Sequence, residues 1–215
     1  MKKGLIFDLD GTLWDATKQI VISNNATLSR HPEIDRRVTV EEMRSYMGKT
    51  IEVIAAIVFP DMPEDERNKL LYECCEDEAQ YFREHGGDLY PNLCEALIKA
   101  KEKYRLFVVS NCQDGYLQAC LDHHRLWEFF DDIEMAGRTG LSKGDNIRLI
   151  MERNGVDFAI YVGDTTGDYE AAQAAGVPFI HAAYGFGKVP DAEYKIDSFS
   201  EITQRADEVF ADMEV

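Results

Sequence analysis

Short, unbroken apolar runs recur along the chain where a parallel sheet would place its strands. The first is Gly4-Leu5-Ile6-Phe7-Asp8. Others fall at Arg105 to Ser110, Ile133 to Ala136, Ala159 to Asp164 and Val177 to Ala182. Runs of this length without polar alternation suit strands buried on both faces. Between the later runs the apolar positions follow helical spacing, over Asn92 to Lys103, Gly115 to His124, Lys143 to Asn154 and Asp168 to Ala175, with Gly155 and Gly176 as stops for the last two. The alternation predicts β-α-β units and therefore an α/β chain built on an open, mostly parallel, Rossmann-like sheet.

About ninety residues separate the first run from the second, far more than one crossover helix requires. This stretch predicts helix throughout: Ala16 to Ser29, Thr39 to Met47 with a Thr39/Glu42 capping box, Thr50 to Val58, and Glu64 to His85 stopped by Gly86-Gly87. In the last helix Leu70, Leu71, Cys74, Cys75 and Phe82 form an apolar stripe that Glu78 interrupts. The expected organisation is a core of residues 1–15 and 87–215 with an all-helical cap, residues 16–86, inserted after the first strand. Hinges are expected near Leu13-Trp14-Asp15 and Gly86-Gly87-Asp88. The acidic tail, Asp207, Glu208, Asp212 and Glu214, reads as a solvated or frayed helix end.

Composition narrows the function classes. The formal charge is −17, from 23 basic and 40 acidic residues, which disfavours nucleic acid and anionic lipid as partners. A small phosphorylated metabolite stays compatible, because a few local donors and a metal ion reverse the field inside one pocket. The apolar runs are far too short to span a bilayer, and the N-terminal run is too short for a signal peptide. Five cysteines, Cys74, Cys75, Cys94, Cys112 and Cys120, include no C-x-x-C. That fits reduced thiols and a cytoplasmic location.

In sheets of this type, ligands sit at the carboxyl ends of the strands. The first run ends in Asp8-Leu9-Asp10-Gly11-Thr12, the second in Ser110-Asn111 and the fourth in Gly163-Asp164-Thr165-Thr166-Gly167-Asp168, while Lys143 opens a helix before the fourth. Each has a bland reading alone: a turn, a strand end, an N-cap or a surface lysine. Together they bring several carboxylates, a hydroxyl and an ammonium to one sheet edge, and clustered carboxylates call for a cation. His123-His124 reads as a solvated surface pair. Cys112 reads as a packed thiol without a base.

Phe7-Asp8-Leu9-Asp10-Gly11-Thr12-Leu13 resembles the first motif of the haloacid dehalogenase superfamily. Val108-Val109-Ser110-Asn111 resembles the second, Lys143 the third, though Gly144 follows it where proline is usual, and Val162 to Asp168 the fourth. The segment Asp168 to Val177 and Tyr184-Gly185-Phe186-Gly187 are similar to the phosphoglycolate phosphatase-like branch, with its helical cap. The resemblance implies a magnesium-dependent phosphatase acting on a small phosphate monoester. Asp8 would be the nucleophile that forms an aspartyl phosphate and Asp10 the acid/base. Ser110, the Asn111 backbone N–H and Lys143 would bind the phosphoryl group. The Asp8 carboxylate, the Asp10 carbonyl and Asp164 would hold Mg2+, with Asp168 as a direct or outer ligand. Asp10 argues against dehalogenase and phosphonatase chemistry. A β-phosphoglucomutase-like sugar phosphomutase stays an alternative, although Ile51 lies near where those mutases carry arginine. A degenerate scaffold or a receiver-like binding module is the non-enzyme alternative. Lys49 and Thr50, in the expected cap loop, are the candidates for substrate specificity. A monomer or homodimer is compatible with all of this.

Overall fold

The computed structural model describes residues 2–213. Its strands are β1 (Lys3–Phe7), β2 (Trp14–Asp15), β3 (Asp88–Leu89), β4 (Arg105–Ser110), β5 (Asp132–Met135), β6 (Phe158–Gly163), β7 (Phe179–Ala182) and β8 (Tyr194–Ile196). Six of them form one parallel sheet in the order β5-β4-β1-β6-β7-β8. The α/β, Rossmann-like class read from the apolar runs is the fold observed. Strand β1 is central, with Phe7 level with Val108 of β4 on one side and Val162 of β6 on the other. The chain reverses its direction across the sheet between β1 and β6, and a crevice opens there at the strands' carboxyl ends.

The uninterrupted apolar runs are explained by two separate cores. Leu5, Phe7, Leu106 and Val108 point to one face, with Leu97 of α5 (Leu93–Lys101) and Leu117 of α6 (Tyr116–His124). Ile6, Phe107, Val109 and Tyr161 point to the other, against Ile147 and Ile150 of α8 (Lys143–Asn154) and Ala172 of α9 (Thr166–Ala175). Successive side chains in a strand alternate in direction, so a sheet covered on both sides needs every position apolar.

Between β2 and β3 lie four helices: α1 (Thr17–Leu28), α2 (Val40–Tyr46), α3 (Ile51–Val58) and α4 (Glu64–His85). The Thr39/Glu42 capping box is present at the start of α2. The chain enters and leaves this helical segment through β2 and β3, which pair antiparallel, Trp14 with Leu89 and Asp15 with Asp88. These two residues per strand are too few to leave a periodic signal in the sequence. His123 and His124, expected as a solvated pair, are half-buried against the end of α4. A Cβ at Gly86 would collide with the His123 ring, and the Gly87 N–H donates to His124 Nε2 at 3.5 Å.

The C-terminal segment differs most from expectation. Neither the one-turn helix α7 (Ala136–Thr139), which begins at the residue expected to end a strand, nor strand β8 was anticipated, and α10 (Ile202–Asp212) is a packed helix and not a frayed end. Ile202, Ala206, Val209 and Phe210 are buried at helical spacing, and Phe210 stacks on Tyr104 at 5.1 Å. Asp207 accepts hydrogen bonds from the Lys103 ammonium at 2.7 Å and the Tyr104 hydroxyl at 2.5 Å. The acidic residues between these apolar positions obscured the stripe. Glu214 lies outside the described residues. All five cysteines are free, and no helix among the described residues is long and apolar enough to cross a membrane.

Because Phe210 is 2 % exposed, Phe210→Ala should lower the unfolding free energy by about 3–5 kcal/mol, the usual range for deleting a buried phenyl ring. Urea denaturation followed by circular dichroism measures it. A loss below about 1 kcal/mol would return α10 to the status of a loosely attached tail.

Candidate active site

At the carboxyl edge of the sheet, Asp8 leaves β1 with its N–H still donating to Val162 O of β6 at 2.8 Å, so its position is set by the sheet. The chain then turns tightly through Gly11, whose φ of 81° is costly for any residue with a Cβ. Asp10 lies in this turn. Its Oδ1 accepts from Trp14 Nε1 at 2.9 Å and from the Tyr116 hydroxyl at 2.8 Å. Trp14, Tyr116 and Phe82 of α4 pack as a trio, with ring centroids 5.0 to 5.6 Å apart.

Beyond β6, Thr165 caps α9 and Asp168 completes a capping box. Asp168 Oδ2 accepts from the Thr165 N–H at 2.9 Å, the Thr165 hydroxyl at 2.7 Å and the Asp164 N–H at 3.2 Å. Its other oxygen accepts from Lys143 Nζ at 2.6 Å, and the same ammonium donates to Asp8 Oδ1 at 2.9 Å. Lys143 reaches this point from the first turn of α8 and is itself buried. The two-way bridge joins residues 8, 143 and 168, which the sequence keeps far apart.

The electrostatics are dominated by burial. Burial, and then repulsion from Asp168, drives the Asp8 carboxyl well above its usual range against the pull of Lys143. Burial also raises Asp168, but the Lys143 charge and the hydrogen bonds from Lys143 and Thr165 bring it below an ordinary aspartate. Asp164 is pushed up to about 7 by burial and by Asp168, and Asp10 to about 6 by burial, opposed by Tyr116 and Trp14. Lys143 is held well above the usual lysine range: burial acts to lower it, but Asp168 and Asp8 prevail.

Asp8, Asp164 and Asp168 each offer an oxygen within 4.8 Å of the others. Asp164 Oδ2 accepts from the Phe186 N–H at 2.6 Å, whereas its Oδ1 is buried with no hydrogen-bond partner. A buried, unpaired carboxylate oxygen among three acids and one ammonium is a fit for a hard divalent cation. The backbone closes tightly on this group: a Cβ at Gly11 or Gly185 would run into the Asp164 side chain, and one at Gly163 would lie 2.5 Å from Asp168 Cβ.

The cleft above Asp8 and Asp10 is lined on the sheet side by Ser110, Asn111 and Cys112, and opposite by residues of the helical segment. Ser110 is buried, its hydroxyl 3.4 Å from the Cys112 N–H. The Asn111 side chain donates to Gly48 O at 3.0 Å, linking the sheet edge to the α2–α3 loop. Burial pushes the Cys112 thiol up to about 12, so it carries no thiolate at neutral pH. Lys49 lines the cleft, but its ammonium donates to Ser45 O at 2.8 Å on the exposed side. Thr50 precedes α3 without capping it through its side chain, and Ile51 continues the cleft wall. The bonds of Trp14 and Tyr116 to Asp10 were missed in sequence. Only the i, i+4 spacing of Asp10 and Trp14 hinted at one of them.

A family model described as haloacid dehalogenase-like hydrolase matches residues 5–182. Among curated relatives, a phosphoglycolate phosphatase from Rhodobacter capsulatus is 26% identical over 88% of this chain and 88% of its own. "Probable phosphatase IndB" from Dickeya dadantii is 30% identical over 96% of this chain and 94% of its own. Among solved structures, CbbY from Rhodobacter sphaeroides, in complex with phosphate, superposes with a TM-score of 0.76 at 22% identity, covering 94% of this chain and 96% of that one. This last likeness concerns the fold.

The close approach at Gly185 makes a specific expectation. Gly185→Ala should displace the Asp164 carboxylate and weaken divalent-cation binding by about tenfold or more, the usual cost of disturbing a ligand's supports. Calorimetric titration of the cation into the folded variant measures this. Unchanged affinity would remove Asp164 from the site.

Proposed function

The chain belongs to the haloacid dehalogenase-like hydrolase family, and we propose that it is a magnesium-dependent phosphatase that cleaves a small phosphate monoester through an aspartyl phosphate on Asp8. The observation that carries this reading is the Asp8 carboxylate, fixed by the Lys143 bridge at the base of a cleft and accompanied by Asp10 in the same turn. The names of the curated relatives, phosphatases throughout those cited, support the same reaction class.

In this reading Asp8 Oδ attacks phosphorus as the bond to the leaving oxygen breaks, so one hard displacement becomes two easier ones. Trp14 and Tyr116 both bond Asp10 Oδ1, which orients the carboxyl and makes Oδ2 the oxygen that exchanges protons. Asp10 gives its proton to the departing alkoxide, then takes one from the water that opens the acyl phosphate. Ser110, the Asn111 N–H and Lys143 hold the phosphoryl oxygens, over which charge spreads in the transition state. Asp8, Asp164 and Asp168, with the Asp10 carbonyl, would hold Mg2+, which offsets the repulsion between an anionic nucleophile and an anionic phosphate. Residues 16–86 act as a cap over the core formed by residues 1–15 and 87–215, and exclude bulk water during attack.

Asp8→Asn, nearly isosteric but unable to attack phosphorus, should reduce phosphate release by many orders of magnitude, since monoester hydrolysis gains up to about 10²¹ from catalysis. Unchanged circular dichroism would show that the fold survives. A variant retaining a tenth of the wild-type rate rules Asp8 out as nucleophile.

Chelation provides an independent check. Excess EDTA should abolish phosphate release, added Mg2+ should restore it, and Ca2+ should not, because its looser shell accepts both oxygens of one carboxylate and so occupies the nucleophile. Full activity in chelator would mean the acid cluster serves another purpose.

A further inference from the structure

The wall of the cleft opposite Asp8 is unlike its floor. The cleft is open at its mouth, and the helical segment lines it with apolar side chains such as Ile20, Met43, Ile54 and Leu71. Within that apolar wall stand two polar groups, Asn24 of α1 and Glu78 of α4, 4 % and 6 % exposed. Glu78 is the residue that interrupts the apolar stripe of α4. Asn24 hydrogen-bonds the Glu78 carboxyl, but its own Oδ1 is buried with no partner. An orphaned acceptor beside a carboxyl leaves a place for a donor.

The ionisable groups nearest this place are acids, Glu78 and Asp10. Lys49 is the one basic residue among the described residues that line the cleft, and its ammonium is bound to Ser45 O, away from the interior. A carboxylate on the leaving group would find no basic side chain of the helical wall beside Glu78 to pair with. Burial pushes Glu78 up to about 8, and the neighbouring Asp10 adds to this, so the carboxyl is poised to ionise when a cation arrives beside it. A phosphoglycolate-like leaving group is therefore poorly matched to this wall, whatever names the relatives carry.

Resting on the phosphatase reading above, the geometry points to a substrate class: phosphate monoesters whose leaving alcohol has a compact apolar body ending in an ammonium group, bound by Glu78 and Asn24 Oδ1. The apolar wall takes the body, and the two acceptors take the N–H donors. Selectivity of this kind is strong, because a ligand lacking the donor leaves buried acceptors unpaired.

The test uses the full-length protein with Mg2+ and a matched series: butyl phosphate, 4-aminobutyl phosphate and 4-phosphooxybutanoate, with p-nitrophenyl phosphate as the general ester. The expected order of kcat/KM is amino above plain above carboxylate, with at least about tenfold between the first and last. Glu78→Gln should reduce the amino-to-plain ratio by about tenfold, and Asn24→Leu should move it the same way. Preference for the carboxylate ester, or no preference for the amine in the wild-type protein, overturns the inference even if neither variant folds. Phosphate released from the general ester alongside that result leaves the phosphatase reading standing. Absence of phosphate from every ester overturns that reading and the inference with it.

Discussion

Everything at the sheet edge depends on one buried ammonium shared by two carboxylates. Lys143 holds Asp8 at 2.9 Å and Asp168 at 2.6 Å, and all three groups are nearly sealed from water. Removing such charges from solvent costs several kcal/mol per ion unless each finds close partners. The surrounding backbone supplies them: Thr165 and Asp164 bond Asp168, and Phe186 bonds Asp164. One ammonium still cannot neutralise Asp8, Asp164 and Asp168 together, and burial with mutual repulsion holds Asp8 and Asp164 above the ordinary carboxylate range. A cation placed among them would relieve that repulsion.

A second dependency runs from the helical segment into the same edge. Phe82 of α4 packs on Trp14 and Tyr116, and both of those side chains donate to Asp10. The orientation of one carboxyl is thereby tied to how α4 lies on the sheet-side helices. The Asn111 bond to Gly48 makes a second tie, between the end of β4 and the α2–α3 loop. Movement of the helices over the cleft would be felt both at the Asp10 carboxyl and at the loop that follows β4.

The strands flanking the site were legible because a sheet covered on both faces demands unbroken apolar runs. The acids at their ends were legible because parallel strands bring their carboxyl ends together. What escaped notice did so for identifiable reasons. Strands β2 and β3 are two residues each, below any periodicity. Helix α10 alternates buried apolar positions with acids whose partners lie elsewhere in the chain, as Asp207 does with Lys103 and Tyr104. Glu78 appeared as a flaw in an apolar stripe, and only the fold shows that the flaw faces a cleft beside Asn24. Which side of a helix is covered, and by what, is a tertiary fact.

The small β2–β3 ribbon also bears on how the chain finds its fold. Pairing β1 with β4 brings Gly4 opposite Arg105, a closure of about a hundred residues whose entropic cost grows as the logarithm of the loop length. If the helices between β2 and β3 form first and Trp14 meets Leu89, the remaining unstructured path is only about a quarter as long. Closing it is then easier by roughly 1 kcal/mol. A long insertion is thus made topologically short, and helices of different length or sequence can occupy that position with little effect on the speed at which the central strands pair.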